Sequence, residues 1–167
     1  QDKAKWFNHQ FLMRTENDEL LNQLRSSLSE VHMSRGEEYL LKVIGLIKEK
    51  VSFTHEIIEN SQYFFDLPAS YDPKVQRKRW KDNIPSLLQA YAQRLHEQEI
   101  SSGEAMEAAL STFAEENEVG KGMLMQPLRW AVTGQAGGPP LFEILELLGT
   151  KSILDPISYC ATELTSS

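Results

Sequence analysis

The residues best suited to chemistry in this sequence surround a stretch rich in glycine and proline, QPLRWAVTGQAGGPPLFE. Gln126 and Arg129 are three positions apart and therefore project from one face of a predicted helix. Pro139 and Pro140 give the following loop a fixed shape and bare carbonyls, and Leu141 adds an apolar surface. Proteins recognise unpaired RNA bases with such groups: a planar guanidinium, an amide and a rigid backbone surface. A plain corner between two packed helices would also fit this pattern.

A second candidate is the basic run KVQRKRWK, residues 74–81, which carries five cations in eight positions. Lys74, Lys78 and Lys81 are spaced by four and three residues, so they share one side of a helix. Such a row can hold phosphates and position a nucleic acid without reading its sequence. A solvated helical face is the alternative. The net charge of −7 argues against indiscriminate nucleic-acid binding, so any such contact must be local.

The sequence offers no constellation for catalysis or for a metal. No histidine has a partner four residues away, as a helical metal pair requires. The single cysteine, Cys160, excludes an internal disulfide and fits a small buried hydrophobic residue in a reducing cytosol. We therefore predict no catalytic residue, no metal site and no cofactor here. The alternative, a small hydrolase or metalloprotein, would be recognised by measurable substrate turnover or by bound metal in the purified protein.

Nearly every segment shows apolar residues at helical spacing, and none shows the alternation of a strand. No run of 18 apolar residues predicts a membrane span. Capping boxes pair a hydroxyl residue with an acidic residue three positions later. They predict helix starts at Thr15 with Asp18, at Ser34 with Glu37, and at Ser101 with Glu104.

An internal boundary is predicted at DLPASYDP, where two prolines and a centre of small residues prevent a continuous helix. Asp72 and Pro73 then cap and begin a new helix, and Asn83 and Pro85 begin or bend the next one. The sequence thus predicts an all-α protein of two small helical lobes. The first occupies residues 1–66, a linker residues 67–73 and the second residues 74–167.

The sequence resembles the C-terminal region of bacterial glutamyl-tRNA synthetases. The most specific match is QPLRWAVTG followed, after a gap that contains glycine, by GPPLFEILELLG. The segment KWFNHQFL at 5–12 is similar to the passage from that family's stem-contact fold into its helical lobes. The segment EKVSFTHEII with its following YFF, at 49–65, is similar to the end of the family's first anticodon-binding lobe. The resemblance covers roughly residues 5–150.

The resemblance implies two helical lobes that form a cage around a tRNA anticodon loop, with the end of the stem-contact region included in residues 1–66. It implies that Arg129, with Gln126 alongside, and the loop residues Gly138, Pro139 and Leu141 meet anticodon bases. Lys50 takes the position of an arginine that senses the third anticodon base in many members. Lysine lacks the bidentate fork of arginine, so strict discrimination between glutamate and glutamine tRNAs is not implied.

The function implied is the recognition end of an ATP-dependent ligase that attaches glutamate to tRNA-Glu. ATP and magnesium would belong to a catalytic domain upstream of Gln1, and no cofactor to these residues. The expected partner is tRNA-Glu, bound by a cytoplasmic monomer without membrane contact. The alternative is a helical protein-interaction module without RNA specificity, which would use the acidic stretch 97–118 and the aromatic cluster 63–65.

Overall fold

The computed structural model describes residues 2–165, and in this range the regular structure consists of α-helices and three short 3-10 helices, without any β-strand. The all-α prediction is confirmed. Residue contacts divide the chain into two compact units, Gln1–Asp66 and Leu67–Ser167.

The first unit contains five α-helices among its described residues. They are α1 (Asp2–Arg14), α2 (Asn17–Leu24), α3 (Glu30–Ser34), α4 (Glu37–Ile47) and α5 (His55–Glu59), with 3-10 turns at Arg25–Ser27, Lys48–Lys50 and Gln62–Phe64. Leucines and isoleucines that recur at helical spacing face a common core. This core includes Leu12 of α1, Leu20 and Leu21 of α2, Ile44 and Ile47 of α4, and Ile57 of α5.

Two predicted capping boxes in this unit are wrong. The hydroxyl of Thr15 donates to the carbonyl of Phe11 at 2.6 Å and so closes α1, whereas Glu16 precedes α2 without a side-chain cap. The hydroxyl of Ser34 likewise bonds back to Val31 inside α3. In both cases the hydroxyl serves the helix before it, because serine and threonine bond preceding carbonyls as readily as following amides.

The second unit contains the remaining helices of the described chain. They are α6 (Pro73–Arg79), α7 (Ile84–Glu97), α8 (Gly103–Glu116), α9 (Lys121–Thr133), α10 (Leu141–Leu148) and α11 (Thr150–Glu163). Helix α11 packs against α7, α9 and α10, and α8 packs against α10. Their shared core is fully enclosed and includes Leu88, Tyr91, Leu110, Leu128, Trp130, Ile144 and Ile157.

The helix starts of the second unit follow the sequence closely. Asp72 accepts a hydrogen bond from the amide of Lys74 at 2.9 Å and caps α6, and Asn83 precedes α7 as expected. The start of α8 is displaced by one position, because Ser102 rather than Ser101 bonds the amide of Ala105. The predicted capping box at Ser101 is therefore wrong in its register.

The segment predicted as a linker, residues 67–73, falls within the second unit and is packed against its other helices. The hydroxyl of Tyr71 donates to the carbonyl of Ala131 at 3.0 Å, and the amide of Asp72 donates to the carbonyl of Gly134 at 2.8 Å. Gly134 has a φ of +82°, and a Cβ at this position would collide with the carbonyl oxygen of Ser70. Residues 70–72 thus lie directly against the end of α9 rather than forming a free connection.

Candidate nucleic-acid interface

The candidate site is built at the corner between α9 and α10. Helix α9 ends at Thr133, and Gly134 follows in the left-handed conformation that commonly ends a helix. The hydroxyl of Thr133 accepts from the amide of Gln135 at 3.1 Å and donates to the carbonyl of Arg129 at 2.8 Å. These bonds fix the direction in which the chain leaves α9.

Two side chains on one face of α9 hold the loop that follows. Gln126 donates from its amide nitrogen to the carbonyl of Ala136 at 3.0 Å. Arg129, which is half-buried, donates from Nη1 to the carbonyl of Pro139 at 2.7 Å. The structure brings both residues to the loop, as their spacing predicts. In the described structure both contact loop carbonyls and so brace the backbone.

The loop presents a different surface from the one predicted. Pro139 is buried and its carbonyl is bonded to Arg129, while the carbonyl of Pro140 accepts from the amide of Ile144 at 3.1 Å. Leu141 is only 4% exposed because it is the first residue of α10 and faces the core. The expectations of bare proline carbonyls and of a Leu141 platform are therefore wrong. Gly138, with the other residues of 135–138, is exposed.

The backbone at Gly138 explains why glycine occupies this position. Its φ of +139° is one that other residues rarely adopt, and an added Cβ would lie 3.5 Å from Nη1 of Arg129. The positive φ, rather than a lack of space, therefore favours glycine here, because 3.5 Å is an ordinary van der Waals distance. The exposed Gly138 and the half-buried side chains of Arg129 and Gln126 thus lie together at the rim of the site.

Lys74 and Lys78 of the predicted basic row lie on α6, in the same unit as the loop. Lys81 lies beyond the end of this helix at Arg79, so the expectation that all three lysines share one side of a helix is wrong for Lys81. Lys74, Lys78 and Lys81 are all exposed. Trp80 is not part of this surface, because it is buried and its indole N–H donates to the hydroxyl of Thr165 at 3.0 Å. The row begins two residues after Asp72, whose amide bonds Gly134 at the corner of the site.

Lys50 lies in the first unit, at the end of the 3-10 turn Lys48–Lys50, and is exposed. Its neighbour Lys48 donates to the carbonyl of Thr15 at 3.1 Å. This bond ties the turn to the end of α1 and fixes the backbone that carries Lys50.

An aromatic cluster beneath the site was missed at the level of sequence. Trp130 packs against Tyr71 and Trp80, with ring centroids 4.8 and 5.2 Å apart, and its N–H donates to the carbonyl of Asp72. Nothing in their spacing along the chain signals this cluster, because Tyr71 and Trp130 are separated by 59 positions in sequence. The cluster thus connects the start of α6, which carries the basic residues, with the end of α9, where the loop begins.

Cys160 is buried beside this cluster, as predicted for a small hydrophobic residue. Burial raises the pKa of its thiol to about 11. Burial also raises the pKa of the Tyr71 hydroxyl, which donates to the carbonyl of Ala131. Both groups are therefore protonated at neutral pH, and neither has the character of an activated nucleophile.

The alternative, a protein-interaction module, would use the aromatic cluster 63–65 and the acidic stretch 97–118. In the folded chain, both are partly taken up by contacts within the protein. Tyr63 and Phe64 are in the core of the first unit, with 7% and 1% of their surface exposed. On the acidic α8, Glu107 pairs with Lys121 at 2.7 Å and Glu116 pairs with Arg94 at 2.8 Å. The structure therefore does not present the aromatic cluster as a docking surface.

Residues 2–165 contain no cluster of three or more histidine, cysteine, aspartate or glutamate side chains placed to hold a metal ion. Over the same range, no helix has the length and apolar character needed to cross a membrane.

Residues 18–160 match the family model described as the anticodon binding domain. The chain belongs to the anticodon-binding domain family. This assignment agrees with the all-helical fold and confirms the resemblance carried by the motif around Arg129.

Relatives of this anticodon-binding domain are glutamate–tRNA ligases. Those of Flavobacterium psychrophilum and Porphyromonas gingivalis are each 35% identical over 156 residues, which cover 93% of this chain and 31% of those proteins. A crystal structure of a glutamate–tRNA ligase from Elizabethkingia meningosepticum, in complex with its amino acid, superposes with a TM-score of 0.83. Its sequence is 28% identical, and the match covers 98% of this chain and 32% of that chain. The glutamate–tRNA synthetase of Elizabethkingia anophelis gives a TM-score of 0.79 at 29% identity, over 96% of this chain and 31% of that one. The chain thus spans about a third of the length of these proteins.

Proposed function

We propose that this domain recognises the anticodon loop of tRNA-Glu as part of a glutamate–tRNA ligase. The family match supports a tRNA partner, and the relatives that cover nearly all of this chain are glutamate–tRNA ligases. The observation that carries the proposal is the position of Arg129. Its guanidinium group lies half-buried beside a rigid loop and bonds the carbonyl of Pro139 at 2.7 Å.

Recognition would begin from a loop that is already shaped. The bonds from Gln126 to Ala136 and from Arg129 to Pro139 hold the loop backbone against α9. A guanidinium group carries five N–H donors in one plane, so it can donate to a base edge and to a backbone carbonyl at the same time. An unpaired anticodon base would meet this fork and the exposed edge of residues 135–138, with Gly138 permitting close approach. Pro139 and Leu141 would contribute through the backbone they fix, because both are buried.

The lysines have a separate role in this proposal. Lys74, Lys78 and Lys81 would contact phosphates, which position the RNA without specifying its sequence. Lys50, on the first unit, would approach the third anticodon base as a single positive charge. Because an ammonium group has no planar fork, it would distinguish between bases at that position less strictly than an arginine would.

The chemistry of the ligase would reside outside this domain. ATP, magnesium and glutamate activation would belong to a catalytic domain of the same protein, and the domain itself would contribute tRNA selection. We further propose that the protein acts as a monomer in the cytoplasm.

The proposal is tested by measuring the affinity of the chain for a tRNA-Glu transcript and for a transcript with a changed anticodon, at one salt concentration. Replacement of Arg129 by alanine should weaken binding to tRNA-Glu by about 1–3 kcal/mol and reduce the difference between the two transcripts. Arg14→Ala is the matched control, because Arg14 is an exposed arginine in the first unit and its loss changes the net charge equally. Equal affinities of wild type and Arg129→Ala for both transcripts would refute the role of Arg129.

A further inference from the structure

A buried threonine ends the helix that carries Arg129. Thr133 is the last residue of α9 and is only 4% exposed. Among the residues that the structure describes, Ser61 is the one other polar residue buried to this degree. A polar group is buried at little cost only where hydrogen bonds replace its contacts with water. The partners of the Thr133 hydroxyl therefore indicate what this residue does.

The hydroxyl of Thr133 is hydrogen-bonded on both sides of the corner between helix and loop. A hydroxyl has one proton to donate and two lone pairs with which to accept. It donates to the carbonyl of Arg129 at 2.8 Å, a shorter contact than the 3.4 Å to the carbonyl of Gln135. It also accepts from the amide of Gln135 at 3.1 Å. One side chain thus connects the turn of α9 that carries Arg129 with the first exposed residue of the loop.

The backbone between these partners is fixed as well. The amide of Gly134 donates to the carbonyl of Trp130 at 2.7 Å, and its carbonyl accepts from the amide of Asp72 at 2.8 Å. The path by which the loop leaves α9 is therefore determined by backbone hydrogen bonds and by the one hydroxyl of Thr133.

The side chains of α9 that hold the loop differ in their exposure to solvent. Gln126 and Arg129 donate to loop carbonyls and are half-buried. Both are proposed to face RNA, so an arriving base would compete with the loop for their N–H groups. Thr133 is out of reach of a base, because its side chain is enclosed. Its bond to Gln135 is therefore an attachment of the loop that RNA does not disturb.

We propose that Thr133 is a positioning residue for anticodon recognition and determines how strictly the domain distinguishes between anticodons. Its hydroxyl holds the start of the loop against α9 while Gln126 and Arg129 engage a base. Without this hydroxyl, the RNA itself would have to order the loop, and the entropy lost would reduce the affinity. A loop that is free to shift also adapts to a wrong base, so discrimination would fall together with affinity. The inference rests on the proposed function and adds a residue that does not contact the RNA.

The first experiment compares Thr133→Val with Thr133→Ser in the absence of RNA. Valine has nearly the shape of threonine but no hydroxyl, whereas serine keeps the hydroxyl and lacks only the methyl group. Hydrogen exchange of the Gln135 amide, followed by NMR, should be about two- to tenfold faster in Thr133→Val than in the wild type. It should be nearly unchanged in Thr133→Ser. Unaltered exchange in folded Thr133→Val would show that the hydroxyl does not hold the loop, and the inference would be wrong.

The valine variant should fold, because Gln135 is exposed and water can take the place of the lost hydroxyl at its amide. Circular dichroism and thermal unfolding monitor the fold of each variant. Thr133→Ala, a second variant without the hydroxyl, takes the place of Thr133→Val if the valine variant does not fold.

The second experiment measures binding of the same variants to the tRNA-Glu transcript and to the transcript with a changed anticodon. Thr133→Val should bind tRNA-Glu about two- to tenfold more weakly than the wild type and should distinguish less between the two transcripts. Thr133→Ser should retain both properties. The dependence of affinity on salt should be the same for all variants, since no phosphate contact is lost. Thr112→Val is the matched control and should bind as the wild type does, because Thr112 is an exposed threonine of α8.

A double-mutant cycle with Arg129→Ala separates positioning from a general loss of stability. If Thr133 acts through the loop that Arg129 contacts, Thr133→Val should weaken binding less in the Arg129→Ala background than in the wild type. Additive effects of the two substitutions would mean that Thr133 acts independently of Arg129, and they would refute the positioning role.

The outcomes separate this inference from the proposed function. If the wild type binds tRNA-Glu and Arg129→Ala weakens that binding, while folded Thr133→Val binds and discriminates normally, the inference is wrong and the proposed function stands. If the wild type does not distinguish the two transcripts, the proposed function fails, and the role of Thr133 fails with it.

Discussion

The indole N–H of Trp130 donates to the backbone carbonyl of Asp72 at 3.0 Å. Asp72 caps the basic helix α6, and Trp130 directly follows Arg129 on α9. The bond therefore connects the helix proposed to read a base with the helix proposed to hold phosphates, across 58 positions of sequence.

Replacing Trp130 with phenylalanine should lower the free energy of unfolding by about 1–3 kcal/mol. The variant loses the bond to Asp72 and leaves unfilled space beside Trp80, at a position whose side chain is fully buried. Urea unfolding followed by circular dichroism measures the change. Trp6→Phe is the control, because Trp6 is 57% exposed, and its effect should stay within about 0.5 kcal/mol. Equal stabilities of the two variants would contradict the importance of the contact.

Gly134→Ala should be more destabilising than Gly137→Ala by about 1–3 kcal/mol. At Gly134 the φ of +82° and the nearby carbonyl of Ser70 leave no room for a Cβ, whereas no atom lies within 4 Å of a Cβ added at Gly137. Thermal unfolding of the two variants provides the comparison. Similar midpoints would mean that the corner at the end of α9 relaxes readily.

Stability should depend on pH through His32. Its Nδ1 accepts a hydrogen bond from the amide of Ser29 at 3.0 Å, which only the unprotonated nitrogen can do, and burial lowers its pKa. Because folding favours the neutral imidazole, this contribution is complete above the unfolded pKa of about 6.5 and is lost as the pH falls towards the lower folded value.

The measurement is the free energy of unfolding of the wild type and of His32→Gln as a function of pH. Glutamine at this position of a capping box also accepts from the amide of Ser29 but does not titrate. The free energy of unfolding of the wild type should therefore fall relative to that of His32→Gln as the pH falls below about 6.5. A difference that is constant with pH would show that His32 protonates without cost to the cap.

Arg129→Lys and Lys78→Ala should alter RNA binding in different ways. The lysine at 129 keeps the charge but loses the planar fork, so discrimination between anticodons should fall while the salt dependence of affinity is unchanged. Loss of exposed Lys78 should weaken binding to all transcripts alike and reduce the salt slope by about 0.7–0.9. Titrations at several salt concentrations distinguish the two. If both variants showed the same slope, the proposed division between base and phosphate contacts would be wrong.

Much of the helical structure follows from local sequence. Asp72 and Pro73 begin α6 because aspartate caps well and proline needs no amide partner at a first helical position. The errors at Thr15 and Ser34 arise where two helices nearly touch in sequence. A single hydroxyl can then close one helix or cap the next, and its spacing to an acidic residue does not decide between them.

The site was only partly predictable for a different reason. The three-residue spacing of Gln126 and Arg129 correctly places both on the loop-facing side of α9. That Leu141 turns inward depends on the packing of α10 against its neighbours. The contact of Tyr71 with Trp130 likewise depends on residues that are distant along the chain.

The bonds from Gln126 and Arg129 to the loop carbonyls mean that much of the ordering of this loop occurs during folding, before RNA arrives. The binding site is then preorganised, and RNA should bind with little loss of conformational entropy in the loop. A substitution that only disorders the loop would lower the affinity for RNA, just as the loss of a direct contact would. A weaker complex alone therefore does not identify the side chain that contacts the base.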